Sequence, residues 1–204
     1  MVITLEVIKN VIGQFYKGEL TTEDFTDLYY DAEVKLFSVK WKEKDYAALR
    51  HFVATKGDGT PPLMVNAGKA SLPSDFFFVL AAYYRHAGKR TEIEFVNDTQ
   101  AVHRLAHAYE FPTAEYPIGV VGGATVRFHP DTVKLVTFTY MQFPQPVDYV
   151  VDYTTGIPVF NATASTAIKW DTTEIVAMIQ FILQSLSIVA TQTEINNQLT
   201  NPKQ

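Results

Sequence analysis

Apolar residues recur at helical spacing in the first segment of the chain. Leu5, Ile8, Ile12 and Phe15, with Val7 and Val11 beside them, predict a helix over 3–16. It ends at Lys17-Gly18, because glycine accepts the left-handed cap. GELTTEDFTDLYYDAEVKLFSVKW predicts a second helix. Thr21 suits its N-cap, Glu23 and Asp24 suit its positive start, and Leu20 is placed to staple Phe25. Its apolar face is Phe25, Leu28, Tyr29, Ala32, Leu36 and Phe37. A third, short helix is expected in EKDYAALRHFVA. The helical pattern returns near the end, where Ile175, Met178, Ile179, Ile182 and Leu186 line one face. Val176, Phe181 and Leu183 fall elsewhere on that helix, and a helix apolar nearly all round is buried on several sides. Asp171 and Glu174 have capping-box spacing, and Trp170 is placed to staple Ile175.

Between these helices the period changes to two. TKGDGTPPLMVNAGK reads as a loop, and Leu72-Pro73 forces an extended entry. The run over 76–84 is ambiguous by period, but its aromatics favour a strand. After the turn HAGKR, Ile93 and Phe95 alternate with Glu92 and Glu94, which completes a hairpin. NDTQAVHRLAHAYEF predicts a short helix capped by Asn97 or Asp98, and Pro112 and Pro117 bracket a loop. YPIGVVGGATVRFHP is a hairpin around Gly122-Gly123. TVKLVTFTYMQFP is the longest expected strand, with Leu135, Thr137 and Thr139 opposite Val136, Phe138 and Tyr140. Both of its faces carry bulk, so both are expected to be covered. Two short strands follow around Thr155-Gly156. The polar tail over 190–204, with Ile195 and Leu199, is expected to order only on assembly. The fold class expected is α+β, with N-terminal helices and a C-terminal helix packed around a central antiparallel β-sheet with hairpins. Its parts are a helical unit over 1–55, a β-rich region over 56–170 with a short helix near 98–109, and a helix with extended tail over 171–204, joined as one integrated domain.

Composition narrows the function classes. The 204 residues are 47% hydrophobic and 19% charged, enough to bury a core. A net charge of -5 argues against a duplex-binding surface. The absence of cysteine removes disulfides and thiol catalysis. No basic leader precedes the first helix, and the apolar run over 174–190 is interrupted by Gln180, Gln184 and Ser185, so a soluble protein made in a cytoplasm is expected. The sequon Asn161-Ala162-Thr163 carries little weight without a secretory route.

The chemistry-bearing residues form no enzyme signature. His103 and His107 have the spacing of a zinc pair on a helix, but Arg104 stands where a metalloprotease has glutamate, and no third ligand is evident. AGKAS resembles the end of a phosphate loop without its upstream glycine or its metal-binding hydroxyl. GDG over 57–59 lacks a calcium-loop ligand series. Glu92 and Glu94 share a strand face and, with a histidine, would suit a small hydrolase; as a solvated face they would pair with Lys89 or Arg90. Lys40, Lys42, Lys44 and Arg50 lie near Trp41 and Tyr46, a mixture that can bind nucleic acid but is diluted by Glu43 and Asp45. No cofactor and no metal are expected. What stands out is apolar and aromatic surface in excess of one small core, which marks a protein interface. The expected interface residues are Phe76, Phe78, Tyr83, Phe138, Tyr140, Phe181, Ile188, Ile195 and Leu199.

Four stretches in order resemble a family of virion proteins in tailed phages of Bacteroidota, the crAss-like phages included. They are GELTTEDFTDLYYDAEVKLF, GKASLPSDFFFVLAAYY, FPTAEYPIGVVGGATVRFHPDTVKLVTFTYMQFPQPVDY and STAIKWDTTEIVAMIQFILQSLSI. The chain departs from the family pattern at Gln142, Lys169 and Ser187, where arginine, glutamate and glycine are usual. The resemblance implies a non-enzymatic subunit of a head-to-tail connector or neck ring, twelve-fold, contacting the portal and other neck or tail proteins. It implies assembly in the host cytoplasm, location in the virion and proximity to packaged DNA, with no membrane partner. An acidic channel wall would let DNA slide. The alternative is a carbohydrate- or peptide-binding β-rich module with Tyr83, Tyr84 or Tyr140 as its platform.

Overall fold

The computed structural model describes residues 3–154 and 156–200. The fold is α+β, and among the described residues there are five α-helices and several sheets whose strand pairs are antiparallel except for one. The chain forms two compact units rather than three successive parts. One is Met1–Phe52 with Pro144–Gln204, and the other is Val53–Phe143. Residues 144–170, expected in the β-rich region, belong to the helical unit.

In the helical unit, α1 (Leu5–Phe15) begins at Thr4, whose hydroxyl accepts from the Val7 N–H. It ends at Tyr16 in extended backbone, with the Tyr16 N–H donating to the Ile12 carbonyl, and not in the left-handed cap expected at Gly18. α2 (Thr22–Glu43) is capped by Thr21, whose hydroxyl accepts from the Asp24 N–H at 3.1 Å. It ends at Lys44, in the left-handed conformation. The third expected helix is a short 3-10 turn, Ala48–Phe52, fixed at its start by Asp45, whose carboxylate accepts from the Ala48 N–H. α4 (Thr172–Ser185) packs against α1, α2 and the terminal α5 (Gln192–Thr200). Burial follows the apolar pattern. Ile8 and Ile12, Phe25 and Tyr29, and Met178, Ile179 and Ile182 are fully enclosed. A small hairpin, β10 (Val151–Asp152) with β11 (Val159–Phe160), also belongs to this unit. Its expected turn includes Thr155, which lies outside the described residues.

Two expectations fail here for local reasons. Asp171 precedes α4 but makes no side-chain cap, because its carboxylate accepts from Arg50 at 2.7 Å. The described part of the tail forms a helix over Gln192–Thr200 where an extended segment was expected, and 201–204 lie outside the described residues. Thr191 and Glu194 cap α5 reciprocally, and Ile195 and Leu199 are buried within the unit.

The β unit has two sheets. The first runs β1 (Val53–Lys56), β9 (Leu135–Gln142), β4 (Phe76–His86), β5 (Lys89–Glu92), with β2 (Leu63–Met64) also on β9. The second runs β3 (Lys69–Ser71), β8 (Thr125–His129), β7 (Ile118–Gly122), β6 (Glu94–Phe95). The core holds Ala82, Tyr84, Val136, Phe138 and Tyr140 from the first sheet and Ala70, Val126 and Phe128 from the second. Ile93, also in that core, lies between β5 and β6, so the expected strand over 91–96 leaves one sheet and joins the other. β6 pairs with β7 in parallel, with α3 (Asp98–Ala106) between them in sequence. Asn97 caps α3 in a full capping box. Ala101 of α3 joins Val96, Ile118 and Val120 in a second, smaller cluster. Gly119 has no side chain for a reason, since a Cβ there would meet the Phe95 ring at 2.8 Å. The β7–β8 turn is Gly123-Ala124, one residue later than expected, with Gly123 at φ 59.

Candidate interaction surface

β9 was expected to be covered on both faces. The register shows one fully covered face and one that opens along the strand, from buried Met141 through half-buried Thr139 and Thr137 to exposed Leu135. Val136, Phe138 and Tyr140 point into the core, at 0%, 0% and 2% exposure. Leu135, on the opposite face, is 51% exposed. Phe138 and Tyr140 are therefore core residues of this chain and present no surface to a neighbour. Phe76 is half-buried, with its ring 5.9 Å from Phe138 and 6.0 Å from Tyr140. The Tyr140 hydroxyl donates to Asp75 at 3.0 Å, and Gln142 donates to the other oxygen of that carboxylate. Burial first, and then Asp75, push the Tyr140 phenol up to about 12. The Tyr84 hydroxyl donates to the Ala114 carbonyl. Two of the three rings expected to form a sugar platform are thus internal.

β4 makes the open face unusual. Its pairing with β9 shifts twice, between Phe76 and Phe78 and between Val79 and Ala81. At each shift two β4 residues advance against one on β9, which is a β-bulge. Phe77 and Leu80 are the extra residues. Core-facing positions are then Phe76, Val79, Ala82 and Tyr84, while Phe78, Ala81 and Tyr83 share the other face. The bulges add Phe77 and Leu80 to the exposed side, so Phe77, Phe78 and Leu80 are exposed at 36%, 48% and 42%. Val53, Met64 and Leu135 extend this apolar face across β1, β2 and β9. The Thr55 and Thr139 hydroxyls hydrogen-bond to each other on it at 3.0 Å. Period-two reasoning cannot find such a surface, because a bulge breaks the alternation. The unbroken apolar run over 76–82 was its signal.

The remaining expected interface residues divide. Tyr83 is half-buried, with the Arg90 guanidinium 3.2 Å from its ring centre. Phe181 is half-buried in α4, with the Lys35 ammonium 4.5 Å from its ring centre. Ile188 is half-buried beside the exposed Val189. Ile195 and Leu199 are enclosed and drop out as interface residues. Sequence reasoning missed the exposed Tyr109, Phe111 and Tyr116 around the α3–β7 loop, and Tyr153, Ile157 and Val159 around the β10–β11 hairpin.

The polar candidates are mostly engaged within the chain. Arg104 clamps Glu94 with two hydrogen bonds of 2.6 and 2.7 Å, which holds the Glu94 carboxyl below its usual range. Glu94 therefore pairs with Arg104 rather than with Lys89 or Arg90. His86, Glu92 and Glu94 do line one recess of about 800 Å³, together with Lys89, Arg90, Glu115 and Tyr116. Within it Glu94 stays ionised and fixed, which does not suit a general acid. The rings of His103 and His107 lie 4.2 Å apart, and His103 faces Glu110 at 3.3 Å. Among the described residues no set of three or more ligating side chains is placed to hold a metal. Lys40 bonds Asp45 at 2.9 Å and Arg50 bonds Asp171, so two of the four cations near Trp41 are neutralised. A buried acid also went unnoticed in the sequence. Glu33, at 5% exposure, accepts from the Trp170 indole at 3.0 Å, and burial pushes its carboxyl up to about 7 despite that bond and Lys169. Among the described residues no helix is long and apolar enough to cross a membrane. No protein-family model matches the chain, and no curated protein matches it.

Proposed function

We propose that this chain is a non-enzymatic structural subunit of a virion. It builds an oligomeric ring in the connector between phage head and tail, joins the portal to the tail and borders the exiting DNA. The observation that carries the reading is the apolar outer face of the β1–β9–β4–β5 sheet, enlarged by two bulges that place Phe77 and Leu80 outward. Bulges cost regular pairing, and here they add exposed apolar side chains, which is the character of an interface. The four stretches that resemble the phage neck proteins supply the identity of the assembly. The carbohydrate-binding alternative is weakened, because Tyr84 and Tyr140 are internal and Arg90 lies over Tyr83.

Native mass spectrometry over rising protein concentration tests the reading. The expected result is a closed oligomer that disappears in Leu80→Asp and Leu135→Asp while the far-UV spectrum stays unchanged. A monomer at every concentration, or variants that assemble like the parent, would count against it.

A further inference from the structure

The tip of the β4–β5 hairpin gathers cations against an electrostatic cost. Arg85 lies directly opposite Arg90, and His86 opposite Lys89. Like charges directly across a strand pair repel, as the Arg85 and Arg90 guanidinium groups do here. Arg85, Lys89 and Arg90 are all exposed, and among the described residues no carboxylate lies within 4.0 Å of any of them. The turn is tightly specified, with Ala87 at φ 48 and Gly88 at φ 77, so the four side chains are held in one register. Arg90 is held further by its contact with the Tyr83 ring. An arrangement that repels itself and is nonetheless held in place calls for an anionic partner.

Charge distribution indicates which partner. Val53–Phe143 holds as many Lys and Arg as Asp and Glu, so the whole of the net -5 falls in the other unit. There, Glu23, Asp27 and Asp31 recur every four residues along α2 and are exposed. Like charges at that spacing also repel, and no cation lies within 4.0 Å of them among the described residues. Two like-charged groups of opposite sign thus form no ion pair among the described residues. Nucleic acid suits the hairpin less well. Glu92, Glu94 and Glu115 line the same recess as Lys89 and Arg90, and a phosphate backbone favours a surface of net positive charge.

We infer that copies of this chain join by seating the cationic β4–β5 hairpin tip of one copy against the acidic α2 face of the next. The inference rests on the oligomer reading above and adds its direction. Such a contact pairs two different patches, and a heterologous contact closes a ring when its rotation closes. The charges orient the copies, and the apolar sheet face supplies the adhesion.

A charge-swap mixture tests this. Variant one is R85E/R90E, with an acidic hairpin and an acidic helix. Variant two is D27K/D31K, with both surfaces basic. Each alone sets like charge against like and is expected to weaken association by about 100-fold or more. The two mixed in equal amounts are expected to assemble with alternating copies, because every contact then pairs opposite signs. Sedimentation velocity at low and high salt reads this directly, and parent assembly should weaken as salt shortens the screening length. Restoration on mixing cannot come from a folding defect. If the parent assembles and either variant alone assembles equally well, the inference is overturned and the oligomer reading stands. If the parent and the mixture both stay monomeric, both are overturned. If R85E/R90E assembles normally but loses binding to a labelled oligonucleotide that the parent binds, the hairpin serves nucleic acid instead, which also overturns the inference.

Discussion

The two units treat apolar residues in opposite ways. In the helical unit, α4 is apolar nearly all round and is surrounded, with Ile175, Val176, Met178, Ile179, Ile182 and Leu183 all buried. In the β unit, β4 is apolar along seven consecutive positions, yet Phe77, Phe78 and Leu80 stay exposed. The same local richness gives a core in one case and a surface in the other. The difference lies in geometry. A helix packed by α1, α2 and α5 turns most of its sides to neighbours and leaves Thr173, Gln184 and Ser185 exposed, whereas β4 has a covered face and an outer face that shows Phe77, Phe78 and Leu80. Charge divides the same way, with the net -5 confined to the helical unit and the β unit balanced. Hydrophobicity alone therefore does not locate a core, and the arrangement of neighbours decides it.

The sharpest way to break the comparison is Phe138→Ala. Phe138 is fully enclosed between the two sheets, so the truncation should cost about 3–5 kcal/mol. Hydrogen exchange should show protection lost first on β4, β8 and β9, with α2 and α4 keeping theirs. Simultaneous loss in both units would show that they unfold as one.

The next effect belongs to the helical unit and depends on pH. The Glu33 carboxyl titrates near 7 in the fold, against 4.5 for an unperturbed glutamate. Between those values the folded chain holds a proton that the unfolded chain has released, so stability falls as pH rises through the window. The total is about 3 kcal/mol, most of it gone by pH 7 and level above. Chemical denaturation at pH 5 and pH 8 checks this. Glu33→Gln keeps an acceptor for Trp170 and should flatten the profile.

The smallest effects compare a cap with an exposed face. Thr191→Ala removes one half of the α5 capping box and should cost about 1 kcal/mol. Leu135→Thr, on the exposed face of β9, should change monomer stability by less than about 0.5 kcal/mol. Thermal unfolding of both at low protein concentration gives the ranking. A large loss in Leu135→Thr would mean that the face is covered within the monomer.

Much of the fold was legible because its patterns are long. α1 and α2 follow from spacing and the Thr21 cap of α2 from capping chemistry, while the glycine cap expected after α1 does not form. The cap of α3 narrows to Asn97 or Asp98 by residue type, and Asn97 supplies it. The two- and three-residue strands β2 and β3 carry no periodic signal and read as loop. Asp171 has the residue type of a cap, but its carboxylate is turned to Arg50, a partner 121 positions away that spacing cannot reveal. The α5 helix did have a signal, the Thr191 to Glu194 capping spacing, which its polar composition obscured. For the surface, choosing Phe138 and Tyr140 ignored parity. Val136, Phe138 and Tyr140 face the core, and the odd-numbered Leu135, Thr137, Thr139 and Met141 lie on the other face, where only Leu135 is exposed and Met141 is buried. Phe78 was found, while Phe77 and Leu80 were hidden by the bulges.

Those two bulges also have a meaning as insertions. With Phe77 and Leu80 removed together, every remaining β4 residue meets one partner on β9, from Phe76 with Gln142 to Tyr84 with Val136. The inward residues keep their places, and only the outward side loses material. Shortening the strand by two residues would leave the sandwich its inner lining and strip its exterior of two large apolar groups. What the surface does can thus be varied by length, independently of what the interior needs.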